Sequence, residues 1–267
     1  MRSLPDTLDL RVVAEIDARL SSLEMEGARI LLAVESGSRA WGFPSPDSDY
    51  DTRFIYSRRL EDYLRLFPLR DVIETPLDEI FDVNGWDLAK ALRLLVKGNA
   101  IIVEWLMSPV VYRGDAEFHA DMLNLARHAA RREQMARHYL HLGLQQRQTY
   151  FADGRSVKVK KLFYALRPAI ALRWMAAHPH ETLPPMHFPT LMAQSGPPAN
   201  IAAIVARMLD EKARTREMGS GQPPDGLLRF IDEEFERARE RWCDDSPLQP
   251  TVIEAADALF RKWASRP

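Results

Sequence analysis

A chain of 267 residues, 46% apolar and 28% charged, is long enough for one large or two modest domains and has an ordinary globular composition. The net charge of −2 excludes a global positive field, so any polynucleotide contact has to come from a local basic patch. The single cysteine, Cys243, excludes an internal disulfide and a cysteine-based zinc cluster; with no apolar signal core in MRSLPDTLDLR and no run near the ~18 apolar residues of a membrane helix, a soluble cytoplasmic protein without membrane partners is expected.

In chain order, Leu10, Val13, Ile16 and Leu20 recur at helical spacing and predict a helix over residues 8–26. A β-like run over 29–35 leads into a turn-rich loop, and a second strand is predicted over 49–56. A short helix over 58–66 and short strands over 72–75 and 79–84 follow. The segment 86–96 is strongly helical and is stopped by Gly98, after which Asn99 can cap a helix through Leu106. Strand signals vanish from about Tyr112. Helical patterns then cover 115–132, 133–151, 156–177, 198–216, 224–241 and 250–265, with a kink or break expected at Pro168. The expected organisation is an α/β (α+β) domain with a mixed sheet over residues 1–110, followed by an all-helical domain over 111–267.

The loop between the first two strands carries the chemistry. Gly37-Ser38 closes the first strand, ten residues follow, and Asp49 and Asp51 flank Tyr50. On an extended strand Asp49 and Asp51 point the same way, because side chains alternate with period two. Two carboxylates on one side of a strand suit a hard cation such as Mg2+ held together with substrate phosphates. The Gly37-Ser38 turn offers backbone N–H groups to a phosphate. A lone Asp-x-Asp triplet is usually just solvated; the upstream strand, the Gly-Ser turn and the spacing together favour a nucleotide-handling site.

A second constellation lies in the helical half, where Lys158, Lys160, Lys161, Tyr164 and Arg167 fall in one helix and Lys160, Tyr164 and Arg167 share a face. A basic helix face is commonly only solvated, but tyrosine among lysine and arginine suits triphosphate gripping and base stacking. Arg39 and Lys90 are lesser phosphate candidates. Trp41, Trp86, Trp105 and Trp174 read as core or interface aromatics, and His138 with His141 lacks an acid to complete a metal-ligand set.

Strand, Gly37-Ser38, ten residues and then Asp49-Tyr50-Asp51 on the next strand resemble the DNA polymerase β-like nucleotidyltransferase superfamily. Gly42, the run from Pro44 to Asp51, the stretch from Asp82 to Lys90, Lys97-Gly98-Asn99, Glu104-Trp105-Leu106 and the stretch from Lys158 to Pro168 are similar to a bacterial and phage branch, some members of which are linked to RNA-repair ligases. The resemblance runs from about residue 28 to about 190. It implies a third carboxylate on a neighbouring strand. Asp82, in a strand-like run, is preferred over Asp87, which opens a helix and has a capping role available; Glu79 is a distant third.

The resemblance implies transfer of a nucleoside monophosphate from an NTP onto an acceptor hydroxyl with two Mg2+ ions (Mn2+ as an alternative) held by Asp49, Asp51 and Asp82. Gly37 and Ser38 would meet the β- and γ-phosphates, and the helix bearing Lys158, Lys160, Lys161, Tyr164 and Arg167 would contribute to nucleotide binding as a lid. An RNA end is the expected acceptor. A toxin–antitoxin-type enzyme that AMPylates a protein, and an idle nucleotide- or RNA-binding module, are the alternatives.

Overall fold

The computed structural model describes residues 1–76, 78, 80–129, 131–151, 157–215, 220–242 and 249–266, and of residues 157–160 and 220 the backbone alone. The chain divides into two compact units: Met1–Ala40 with Asp49–Ala130 and Pro247–Pro267, and Trp41–Ser48 with Arg131–Ser246.

The first unit opens with α1 (Leu10–Met25), which starts where Asp9 accepts the Arg11 amide in its side chain. Val13, Ile16, Leu20 and Leu23 bury its inner stripe, whereas Leu10, which shares their spacing, is exposed at the helix start. β1 (Arg29–Glu35), the four-residue α2 (Gly37–Ala40) and β2 (Tyr50–Ser57) follow. After α3 (Leu60–Tyr63) come β3 (Val72–Glu74) and β4 (Phe81–Asp87), then α4 (Leu88–Val96), α5 (Ala100–Leu106), β5 (Val111–Gly114) and α6 (Ala116–Ala129). The strands form one mixed sheet in the order β3-β4-β2-β1-β5, with β2 and β4 parallel and the other pairs antiparallel.

Period-two alternation assigns the two faces of the sheet. Phe54 and Tyr56 of β2 join Phe81 and Val83 of β4 in the core with Ile16, Leu20 and Leu23 of α1. Asp51 and Arg53 of β2, and Asp82 and Asn84 of β4, therefore belong to the opposite face. Further along that face Trp86 lies 4.0 Å from Trp105 of α5, centroid to centroid, and α4 packs on β2 and β4. Apolar burial at the strands' far ends thus leaves the acids at their beginnings.

The second unit is built from α7 (Arg132–Phe151), α8 (Val159–Ala177), α9 (Phe188–Ser195), α10 (Ala199–Arg214) and α11 (Leu227–Arg241), with a two-residue ladder between β6 (Val157–Lys158) and β7 (Ser220–Gly221). α8 packs on α7, α9 and α11 and is one helix through Pro168, so the expected break does not occur. The last helix, α12 (Pro250–Ala264), packs on α4 and α6 in the first unit.

The expected division at residue 110 differs from this arrangement in three places. β5 lies just beyond it and pairs with β1; α6 and α12 pack on the sheet-bearing unit; and Trp41–Ser48 groups with the helices. Each depends on long-range pairing, which an amphipathic pattern does not specify. No described helix is long and apolar enough to cross a membrane.

Candidate active site

The Gly-Ser turn and the second strand are locked together by one close approach. Ser36 donates its amide to the Asp51 carbonyl at 2.8 Å, which draws the start of α2 onto β2. Gly37 takes φ +62°, and a Cβ there would stand 2.1 Å from Asp51 Oδ2. Glycine therefore meets both a left-handed backbone and the space that the Asp51 carboxylate fills. Ser38 follows in the short helix. Arg39 donates Nε to the Asp49 carbonyl at 3.1 Å and lays its guanidinium 3.8 Å from the Tyr50 ring centroid.

Parallel pairing of β2 with β4 puts Asp51 directly beside Asp82 and Arg53 beside Asn84. Asp82 and Asp51 thus lie abreast on one face, each about 28–29% exposed in its side chain. The Arg53 guanidinium lies between them, with Nη2 2.6 Å from Asp82 Oδ2 and 3.3 Å from Asp51 Oδ1. Nη1 donates to the backbone carbonyls of Asp82 (2.7 Å) and Thr52 (3.1 Å), and Asn84 Nδ2 donates to Asp82 Oδ1. Burial pushes the Asp51 carboxyl above its ordinary range; Arg53 opposes the rise, and Asp82 and Asp49 add to it. Asp49, one residue ahead of the strand, is exposed.

Beneath this pair is an acid that motif reading did not single out. Glu35, the last residue of β1, is fully buried. Its Oε1 accepts the Asp51 amide at 2.9 Å and its Oε2 accepts the Tyr112 hydroxyl. Burial raises its carboxyl to about 8 against the pull of both hydrogen bonds, so it is mostly protonated at neutral pH. A charged residue type ending an otherwise apolar strand was the available signal. For Arg53 the signal was its i+2 spacing from Asp51.

The donor chemistry fits a hard divalent ion: two carboxylates stand side by side on adjacent strands, already gathered around a positive group. Among the described residues no three His, Cys, Asp or Glu side chains converge into one ligand set, so Asp49 is not drawn in with Asp51 and Asp82. Asp87 takes the capping role: it accepts the Ala89 amide at 2.8 Å and the Tyr63 hydroxyl at 3.0 Å, five residues and therefore the opposite strand face from Asp82. Glu79 lies outside the described residues. Lys90 pairs with Asp71 at 3.1 Å.

In the second unit the side chains of Lys158 and Lys160 lie outside those described. Lys161 Nζ stands 4.6 Å and 4.8 Å from the ring centroids of Tyr150 and Tyr164. Tyr164 meets Trp41 edge-on at 6.1 Å, and the buried Arg167 sits 4.5 Å over the Trp41 ring. Trp41 and Phe43 are held in this unit by their neighbours: Phe43 stacks on Phe163 at 4.8 Å, and the Phe188 amide donates to the Trp41 carbonyl at 2.8 Å. Gly42, at φ +82°, leaves room for the His187 ring, which a Cβ would approach to 2.3 Å.

A mixed sheet in which a Gly-Ser turn precedes an Asp-Tyr-Asp strand, with an acid abreast on the next parallel strand, defines a polymerase β-like nucleotidyltransferase fold. The family model described as RlaP, RNA repair pathway DNA polymerase beta family, matches residues 12–262, and the chain belongs to that family. It is also 40% identical over 214 residues to the uncharacterized protein YcgL of Bacillus subtilis (strain 168), covering 80% of this chain and 81% of YcgL.

Proposed function

We propose that the protein transfers a nucleoside monophosphate from an NTP to an acceptor hydroxyl, that of an RNA end, in a reaction dependent on Mg2+ or Mn2+. The observation that carries this reading is the in-register pair Asp51–Asp82 beside the Gly37 turn. Asp51 and Asp82, joined by the exposed Asp49 when the ions bind, are the proposed ligands of two divalent ions, which would neutralise phosphate charge and stabilise the attacking and leaving oxygens. Asp82 accepts the proton of the attacking hydroxyl. The Gly37 amide and Ser38 receive the β- and γ-phosphates, where leaving charge accumulates. Lys158, Lys160, Lys161, Tyr164 and Arg167 are the proposed nucleotide contacts of the helical unit. The family's RNA-repair assignment supports RNA as the acceptor.

The test is incubation of the protein with each α-labelled NTP and Mg2+, alone, with RNA oligonucleotides and with cell lysate. Label is expected in RNA, reduced roughly a thousandfold in Asp51→Asn and Asp82→Asn, equivalent to about 4 kcal/mol of transition-state stabilisation. Label appearing in a protein instead would replace the RNA acceptor with protein AMPylation. Absence of label from every acceptor, with both variants indistinguishable from the parent, would remove the enzymatic reading.

A further inference from the structure

Arg53 has a place in the acid site that the transferase chemistry above does not use. It stands two residues from Asp51 on β2, so the strand period puts its side chain on the same face as the acids. Its guanidinium contacts a carboxylate oxygen of each, 2.6 Å at Asp82 and 3.3 Å at Asp51. Backbone carbonyls of Thr52 and Asp82 hold its other terminal nitrogen, and Asn84 takes the remaining Asp82 oxygen. The arginine side chain is 18% exposed, so solvent and ions reach it. Arg39 is committed elsewhere, to the Asp49 carbonyl and the Tyr50 ring.

A divalent ion held between Asp51 and Asp82 would compete for Asp51 Oδ1 and Asp82 Oδ2, on which the guanidinium lies, and Mg2+ takes its oxygens at about 2.0–2.1 Å. Those atoms are the ones the guanidinium covers, and a guanidinium cannot discharge by losing its proton. Two positive groups a few ångströms apart between the same carboxylates repel strongly in a part-buried site. Arg53 and the ion would therefore compete for those oxygens.

We infer that Arg53 is a competing counter-cation for the acid pair: it holds Asp51 and Asp82 together across the β2–β4 seam and must swing away for a divalent ion to bind. This rests on the proposed metal-dependent reading of the same site. Arg53 acts through the acids, so it is a positioning residue, and metal affinity in the absence of nucleotide is the quantity it controls. An alternative structural role, neutralising the acids to keep the strands paired, predicts no gain in metal affinity when the arginine is removed.

The experiment is titration of Mn2+ into the full chain without nucleotide, with free Mn2+ read by electron paramagnetic resonance, for the parent, Arg53→Gln, Arg53→Lys and Asp51→Asn. Arg53→Gln is expected to bind Mn2+ roughly tenfold more tightly than the parent, the effect of removing one ion-pair partner of the acids. Arg53→Lys, which keeps the charge as a single point without the planar fork, is expected to fall between them. If circular dichroism shows Arg53→Gln unfolded, Arg53→Lys carries the test. Equal or weaker Mn2+ binding by the folded variants, with binding still lost in Asp51→Asn, overturns the role of Arg53 and leaves the metal site standing. No Mn2+ binding by the parent or either Arg53 variant overturns this inference, and the metal-dependent reading is then decided by the label-transfer assay with Mg2+ and NTP.

Discussion

The acid face of the sheet and the cation–aromatic cluster of the helical unit handle charge in opposite ways. On the sheet, Asp51 and Asp82 lie abreast with a single guanidinium between them and remain more than a quarter exposed. In the helical unit, Lys161 sits against two tyrosine rings, and Arg167 is buried over Trp41. The first arrangement holds like charges together at a cost that a bound cation relieves. The second gives its cations aromatic partners within the fold and adds cation–π stabilisation to ordinary burial. Electrostatic economy thus separates a place suited to an incoming ion from a place whose cations also serve packing.

The largest expected effect falls on the acid face. Gly37→Ala forces a side chain into φ +62° and into the space of Asp51 Oδ2. A loss of about 1–3 kcal/mol in urea unfolding and a drop of roughly a hundredfold in label transfer are expected. Parental activity in Gly37→Ala would show that the turn and the carboxylate are not coupled. In the helical unit, Tyr164→Ala removes the edge contact with Trp41 and one ring beside Lys161. It is expected to destabilise by about 2–3 kcal/mol. KM for NTP decides how much of the cluster is nucleotide grip: a rise in KM with unchanged melting would reverse the contrast drawn above.

The pH dependence of stability rests on Glu35. Its folded carboxyl titrates at about 8 against an ordinary 4.5, so the folded chain holds a proton that the unfolded chain has released. Stability therefore falls as pH rises from about 4.5 to about 8, and Glu35→Gln should flatten that slope. Urea midpoints across this range in EDTA measure it; an unchanged slope in the variant would move the burden to Asp51, whose shift has the same sign.

Legibility followed the distance over which each feature is specified. β1, the Gly37-Ser38 turn and the Asp49–Asp51 spacing are local, and the first strand lies where the apolar run predicts it. The capping role of Asp87 was also readable, because capping is local; Asp87 does cap α4. Glu35 and Arg53 carried only weak local signals and were not singled out. Their meaning depends on which strands neighbour them: a parallel β2–β4 register in one case, a Tyr112 hydroxyl from β5 in the other. Unit membership failed for the same reason. The amphipathic stripe of α12 says that it packs, and nothing in its period says that its partners are α4 and α6.

That return of α12 has a consequence for how the chain matures during synthesis. Trp263 donates its indole N–H to Asp121 at 2.8 Å and meets Phe118 edge-on at 5.2 Å, while Lys262 pairs with Asp121. These contacts join segments about 140 positions apart, so a ribosome must translate the whole helical unit before the sheet-bearing unit receives its last helix. Until then the apolar side of α4 around Leu92 and Val96, which α12 partners, awaits its cover. Nascent chains halted before residue 250 are expected to need a chaperone, and refolding of the full chain to be slow in proportion to that long sequence separation.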